Sequence, residues 1–121
     1  GRETGGPTIW TFPPAGRHFQ RLALGGEAAA RYGDDPHWAA AWFIDRLAPD
    51  RPPRSAISLC CGFGQVERYF LQRLPGLNRV LGLDLAPGAI AGASRQAQEA
   101  GLAHRLEYRV ADLDRLHWSG L

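Results

Sequence analysis

Between residues 56 and 110, three short apolar runs alternate with two helical patterns, and this alternation constrains the fold more than any other feature of the chain. The runs cover residues 56–60, 80–83 and 106–110. Between the first two, residues 65–74 place Val66, Tyr69, Phe70 and Leu74 on one side of a helix that stops at Pro75-Gly76. Between the second and third, residues 87–100 form an alanine-rich helix closed by Gly101. Strand, helix, strand, helix, strand predicts a parallel sheet with right-handed crossovers. The first run is apolar almost throughout, as burial on both faces requires. The third alternates Leu106, Tyr108 and Val110 with Glu107 and Arg109, which suits a strand at the edge of the sheet.

The N-terminal part has a different grain. Residues 1–15 hold three glycines and three prolines and read as a loosely ordered lead-in, with Ile9, Trp10 and Phe12 as anchors. Residues 16–32 carry a helical pattern weakened by Gly25-Gly26. Asp34-Asp35-Pro36 then predicts a helix start, an acidic cap with proline in the first turn. That helix runs to Leu47, with Trp38, Ala41, Trp42, Phe43 and Ile44 on the stripe expected to pack it against the sheet. Pro49 and the "RPPR" stretch end it. The expected division is therefore a lead-in with cap helices over 1–53 and an α/β portion over 54–121.

Composition narrows the function classes. Of the 121 residues, 45% are hydrophobic, enough for a packed core. Fourteen basic and twelve acidic side chains leave a net charge of +2, too even a balance to indicate nucleic acid. No apolar stretch approaches the roughly 20 residues of a membrane span. The chain shows no basic start followed by an apolar run, so no secretion signal is read. Its two cysteines are adjacent and make no disulfide framework, which points to a reducing cytosol. His18, His37, His104 and His117 share no metal-ligand spacing, and no metal is expected.

The chemistry concentrates at the ends of the apolar runs. Gly62-Phe63-Gly64 follows the first strand, at the carboxyl end where open α/β sheets bind ligands. The helix behind it offers free N–H groups. Asp84 ends the second strand, twenty residues past Gly64, where an acid can accept both hydroxyls of a ribose. A dinucleotide site predicts the same layout, but its third small residue is here Glu67. A carboxylate in the first helical turn repels a pyrophosphate while suiting the helix dipole. A ligand with a ribose and no phosphate fits better, for example a sulfonium with an amino-acid tail. After the third strand, "VADLD" places Asp112 where it can accept from the amine of an adenine. Leu113 can cover the ring, and its N–H can meet a ring nitrogen. Cys60 and Cys61 have no histidine or further cysteine beside them and read as small buried thiols.

From about residue 56 to residue 116 the chain resembles the first half of a class I S-adenosylmethionine-dependent methyltransferase. "SLCCGFG" resembles the first motif of that family, "VLGLDLAPGAI" the segment whose acid holds the ribose, and "YRVADLDRL" the adenine-contacting segment. The resemblance implies an α/β fold: a Rossmann-like parallel sheet with flanking helices, the first three strands of a seven-stranded architecture, preceded here by N-terminal helices. It implies S-adenosyl-L-methionine as cofactor, with Ser58, Cys60, Cys61, Gly62, Gly64, Asp84, Leu85, Ala111, Asp112 and Leu113 around it. The implied reaction is in-line methyl transfer to a small-molecule acceptor, working by proximity and alignment. Three departures stand out. Ser58 occupies the place of an acid that helps orient the methionine end, Cys60 replaces a glycine, and Ala86 replaces a hydroxyl cap before Pro87, weakening that helix start by about 1 kcal/mol. Catalytic residues of such enzymes normally come from later strands, so none is assigned. The first strand should also be flanked by a fourth, so its edge is expected to be filled by a second chain or an exchanged copy, or left open by truncation. Two alternatives remain at this point: a non-catalytic fragment or pseudoenzyme acting as a binding module, and a NAD-binding domain, which Glu67 opposes.

Overall fold

The computed structural model describes residues 13–47 and 50–121. The expected anchors Ile9, Trp10 and Phe12 lie outside the described residues. The chain divides between Arg51 and Pro52 into two compact units.

The first unit holds helices α1 (Pro13–Leu24), α2 (Gly26–Ala30) and α3 (Trp38–Arg46). The helical pattern over 16–32 is thus two helices. Gly25 takes φ 83° and its N–H donates to Arg21 O at 3.1 Å, the left-handed C-terminal turn that glycine alone adopts without strain. Gln20, 2% exposed, donates to Gly33 O at 2.8 Å and ties α1 to the turn after α2. α3 begins two residues later than expected. Asp35 does act at its start, accepting the His37 N–H at 2.8 Å, but Pro36 and His37 form a turn ahead of the first helical residue. Phe43, expected in the packing stripe, is 51% exposed.

The second unit is the α/β portion: β1 (Ser55–Leu59), α4 (Gln65–Arg73), β2 (Arg79–Asp84), α5 (Pro87–Glu99) and β3 (Leu106–Val110). The three strands are parallel in the order β1-β2-β3, a Rossmann-like α/β arrangement. Leu71 of α4, Leu77, Val80 of β2, Ala97 of α5 and Leu106 of β3 form the buried core, with Phe70, Leu74, Leu102 and Tyr108 packed against it. Both helices therefore share this core with one face of the sheet. Arg68 of α4 also donates to Gln96 Oε1 of α5 at 2.5 Å.

Two expectations need correction here. The buried residues of α4 are Glu67, Tyr69 and Leu71, with Phe70 and, just past the helix, Leu74 packed against the core; of the expected stripe only Val66, 45% exposed, faces out. A hydrophobicity pattern could not select a buried set whose first member is an acid. β1 was expected to be buried on both faces, yet Ile57 and Leu59 are each nearly half exposed. Among the described residues β1 has a single sheet neighbour, β2, and its other edge carries no strand. β3 lies at the opposite edge, as its alternation predicts. Among the described residues no helix is long and apolar enough to cross a membrane.

Candidate functional site

The carboxyl ends of β1, β2 and β3 lie side by side because the strands are parallel, and one side chain ties together the loops that leave β1 and β2. Past Leu59 the backbone turns sharply: Cys60 has φ 56°, Gly62 φ 56° and Gly64 φ 79°. Cys61 N–H donates to Leu83 O at 3.0 Å, which lays the loop across the end of β2. Gly62 N–H donates to Asp84 Oδ2 at 2.9 Å, and Ala86 N–H donates to Asp84 Oδ1 at 2.9 Å. Asp84 thus fixes the glycine loop with one oxygen and the start of α5 with the other. The missing hydroxyl cap at Ala86 is partly made good in this way, since Ala86 itself caps nothing. Each carboxylate oxygen retains acceptor capacity beyond its one N–H bond. The half-buried Asp84 can therefore still receive ligand hydroxyls. No atom lies within 4 Å of where a Cβ at Gly62 would stand, so a ligand can approach this backbone closely.

At the third strand end, Ala111 N–H donates to Asp84 O at 2.9 Å and extends the β2–β3 ladder by one residue. Asp112 follows directly, exposed, its Oδ1 accepting the Asp114 N–H at 3.0 Å and capping a short 3-10 turn at Leu113–Arg115. Leu85 is 67% exposed, and Leu113 is half-buried. The three strand-end segments singled out in the sequence are therefore neighbours in space.

Beneath the loop lies a polar cluster that the sequence did not reveal. Parallel register aligns Ser58, Gly82 and Tyr108 in one row across the sheet. The Tyr108 ring leans over Gly82: a Cβ there would lie 2.5 Å from its Cδ1 and 3.2 Å from Cys61 Sγ. The Tyr108 hydroxyl reaches Gly64 O at 3.4 Å, and a Cβ on Gly64 would collide with it. Glu67, 2% exposed, turns inward from α4, and its Oε2 accepts from Ser58 Oγ at 2.8 Å. Its Oε1 is buried with no hydrogen-bond partner. Burial pushes the Glu67 carboxyl above its ordinary value, against the smaller opposing effects of Ser58 and Tyr108. Burial, then the Glu67 charge, raise Cys61 to about 12, so this thiol stays protonated. Burial and Glu67 raise Tyr108 as well.

The two thiols differ from expectation. Cys61 is half-buried, but Cys60, just past β1 with φ 56°, is exposed. Phe63 and Arg68 are further structural members of the site. A Cβ on Gly92 of α5 would approach the Phe63 ring to 2.8 Å, and Arg68 donates to Phe63 O at 2.8 Å. The only signal for Tyr108 and Gly82 was the strand register, which a single sequence does not fix.

Residues 56–120 match the methyltransferase domain family along its model. The chain belongs to this family. The chain is 38% identical over 82 residues to methyltransferase ungE' of Aspergillus campestris, an alignment covering 68% of this chain and 22% of the relative. A geranyl diphosphate methyltransferase solved in complex with SAM is 26% identical, with a TM-score of 0.55 over 64% of this chain and 30% of that one. The geranyl diphosphate C-methyltransferase of Streptomyces coelicolor A3(2), solved with Mg2+, geranyl diphosphate and S-adenosyl-L-homocysteine, shares the fold at 23% identity, with a TM-score of 0.54 over 62% of this chain and 27% of that one. The chain thus spans under a third of the length of each of these relatives.

Proposed function

We propose that this methyltransferase domain binds S-adenosylmethionine across the ends of β1, β2 and β3, as the cofactor-holding part of an enzyme that methylates a small molecule. The observation that carries the proposal is Asp84, held by the N–H groups of Gly62 and Ala86 with acceptor capacity to spare. In this reading Asp84 receives the ribose hydroxyls, and the backbone at Cys60, Cys61, Gly62 and Gly64 borders the sulfur. Leu85 covers one side of the nucleoside. Ala111, Asp112 and Leu113 receive the adenine, with Asp112 accepting from its amine. S-Adenosylmethionine supplies an electrophilic methyl group on sulfonium sulfur, and the chain's own residues hold that group in line for an acceptor.

The geranyl diphosphate methyltransferases support a small-molecule acceptor by analogy. A dinucleotide is disfavoured less directly than the sequence suggested. Glu67 lies under the loop rather than in contact with a ligand, so it opposes a pyrophosphate through a buried charge and not through collision. A further strand, from a second copy or a partner, pairs the free N–H and C=O groups along the open edge of β1. Two free thiols, one of them exposed, suit a reducing cytoplasm.

Equilibrium binding of S-adenosylhomocysteine to the full-length protein tests the assignment. Asp84→Ala is expected to lose more affinity than Asp112→Ala. Hydrogen bonds to a charged acceptor contribute about 1.5–3 kcal/mol, or about 10- to 150-fold. Asp84 meets two hydroxyls, and Asp112 one amine. Equal or reversed losses in variants that melt as the parent does show that the roles are misassigned.

A further inference from the structure

The first unit holds a cavity of about 590 Å³ that the methyltransferase reading does not use. That volume lies within the range of small-molecule sites, about 300–1,000 Å³. Leu24 reaches it from the end of α1, Glu27 from the first turn of α2, Arg31 and Tyr32 from just past α2, and Trp42 and Arg46 from α3. The lining thus joins two aromatic rings and an aliphatic side chain to two guanidiniums and one carboxylate.

Two of these side chains are held in place by the protein itself. The Arg46 guanidinium lies over the Trp42 ring, 4.8 Å from its centroid. The Tyr32 hydroxyl donates to Asp45 Oδ2 at 2.8 Å, which ties its ring to α3. The two cations differ in what they already face. Arg31 lies 3.7 Å from Asp45 Oδ2, so its charge is partly balanced. Arg46 pairs with no carboxylate among the described residues. A guanidinium stacked on a ring keeps its N–H edge for a planar acceptor, and a carboxylate meets that edge with two parallel hydrogen bonds. Trp42 and Tyr32 are half-buried, which leaves ring surface for a flat apolar body. Glu27, exposed in the same lining, opposes a second negative charge on the ligand.

We propose that this cavity binds a planar aromatic monocarboxylate, its carboxylate on Arg46 and its ring against Trp42 and Tyr32. The site is built from the first unit alone and does not depend on where the cofactor binds.

Calorimetric titration of the full-length protein with 2-naphthoate tests the site. Two probes take its features apart: 2-naphthamide keeps the rings and loses the charge, and decalin-2-carboxylate keeps the charge and loses the flat rings. 2-Naphthoate is expected to bind about tenfold or more above the amide, the size of a charge-assisted hydrogen bond, and several-fold above the decalin acid. Arg46→Gln is expected to weaken 2-naphthoate about tenfold and to leave 2-naphthamide unchanged. Arg73→Gln is the matched control, since that guanidinium lies 4.6 Å from the Tyr69 centroid in the other unit, and it is expected to change neither. 2,6-Naphthalenedicarboxylate is expected to bind no more tightly than 2-naphthoate. Equal binding of 2-naphthoate and its amide, or of 2-naphthoate and the decalin acid, overturns the proposal. So does an equal loss in Arg73→Gln, no loss in Arg46→Gln, tighter binding of the dicarboxylate, or no saturable heat with 2-naphthoate. The probe comparison on the parent needs no variant, so it decides the matter even if Arg46→Gln does not fold.

Discussion

Gly64 carries two constraints at once. Its φ of 79° is left-handed, and the Tyr108 hydroxyl fills the space where a side chain would begin. Gly64→Ala is therefore expected to destabilise the fold by at least the 1–3 kcal/mol or so of a strained backbone position, measured by denaturant unfolding. Gly88, in the first turn of α5, has an ordinary φ and nothing within 4 Å of its Cβ position. Gly88→Ala is expected to be neutral or stabilising by up to about 1 kcal/mol. Glu67 gives a pH signature. It faces Ser58 from β1, Tyr108 from β3 and Cys61 from the loop, with Arg68 beside it on α4. Its pKa is raised by folding, so the folded chain holds this proton more tightly than the unfolded chain does. The contribution is full below the ordinary carboxylate value of 4.5 and is lost as pH rises from there through the raised folded value. Unfolding measured across this range should show that decline in the parent and not in Glu67→Gln; the same slope in both contradicts the burial argument. Asp84 and Gly62 were legible as single residues because a glycine turn and a strand-end acid have local signatures. Ser58, Glu67 and Tyr108 were not legible as a cluster. Their meeting depends on which residues of three strands stand opposite one another, and on a helix face whose leading residue is charged.

At the scale of elements, Arg68 joins the loop to both helices by donating to Phe63 O and to Gln96 Oε1. Arg68→Ala removes both bonds from a half-buried site and is expected to cost about 1–3 kcal/mol, read as a lower denaturation midpoint with an unchanged m-value. An unchanged midpoint means the bridge contributes nothing. The strands, their parallel order and the two crossover helices were legible in the sequence, because short apolar runs alternating with amphipathic segments allow few other arrangements. The helix starts were less so. Asp35 acts through a turn instead of a cap, and Gly25 splits a helical pattern by taking a conformation that the pattern does not encode. β1 is the clearest case. Its apolar sequence implies two covered faces and two neighbouring strands, while the described residues provide β2 alone. Local sequence reports what a strand is suited to, not which segment lies beside it.

At the scale of the whole molecule, the chain belongs to the methyltransferase domain family over residues 56–120, and one carboxylate fastens its glycine loop and the start of α5, the arrangement proposed above to hold the cofactor. The fold alone would serve a dinucleotide equally well, since open parallel sheets bind both kinds of ligand at the same strand ends. What separates them is the family match, beside a buried acid beneath the loop that disfavours a pyrophosphate. The most direct measurement is calorimetric titration of the full-length protein with S-adenosylhomocysteine and, separately, with NAD under the same conditions. S-Adenosylhomocysteine should bind with measurable heat and clearly more tightly than NAD. Tighter binding of NAD, or no binding of S-adenosylhomocysteine, contradicts the account.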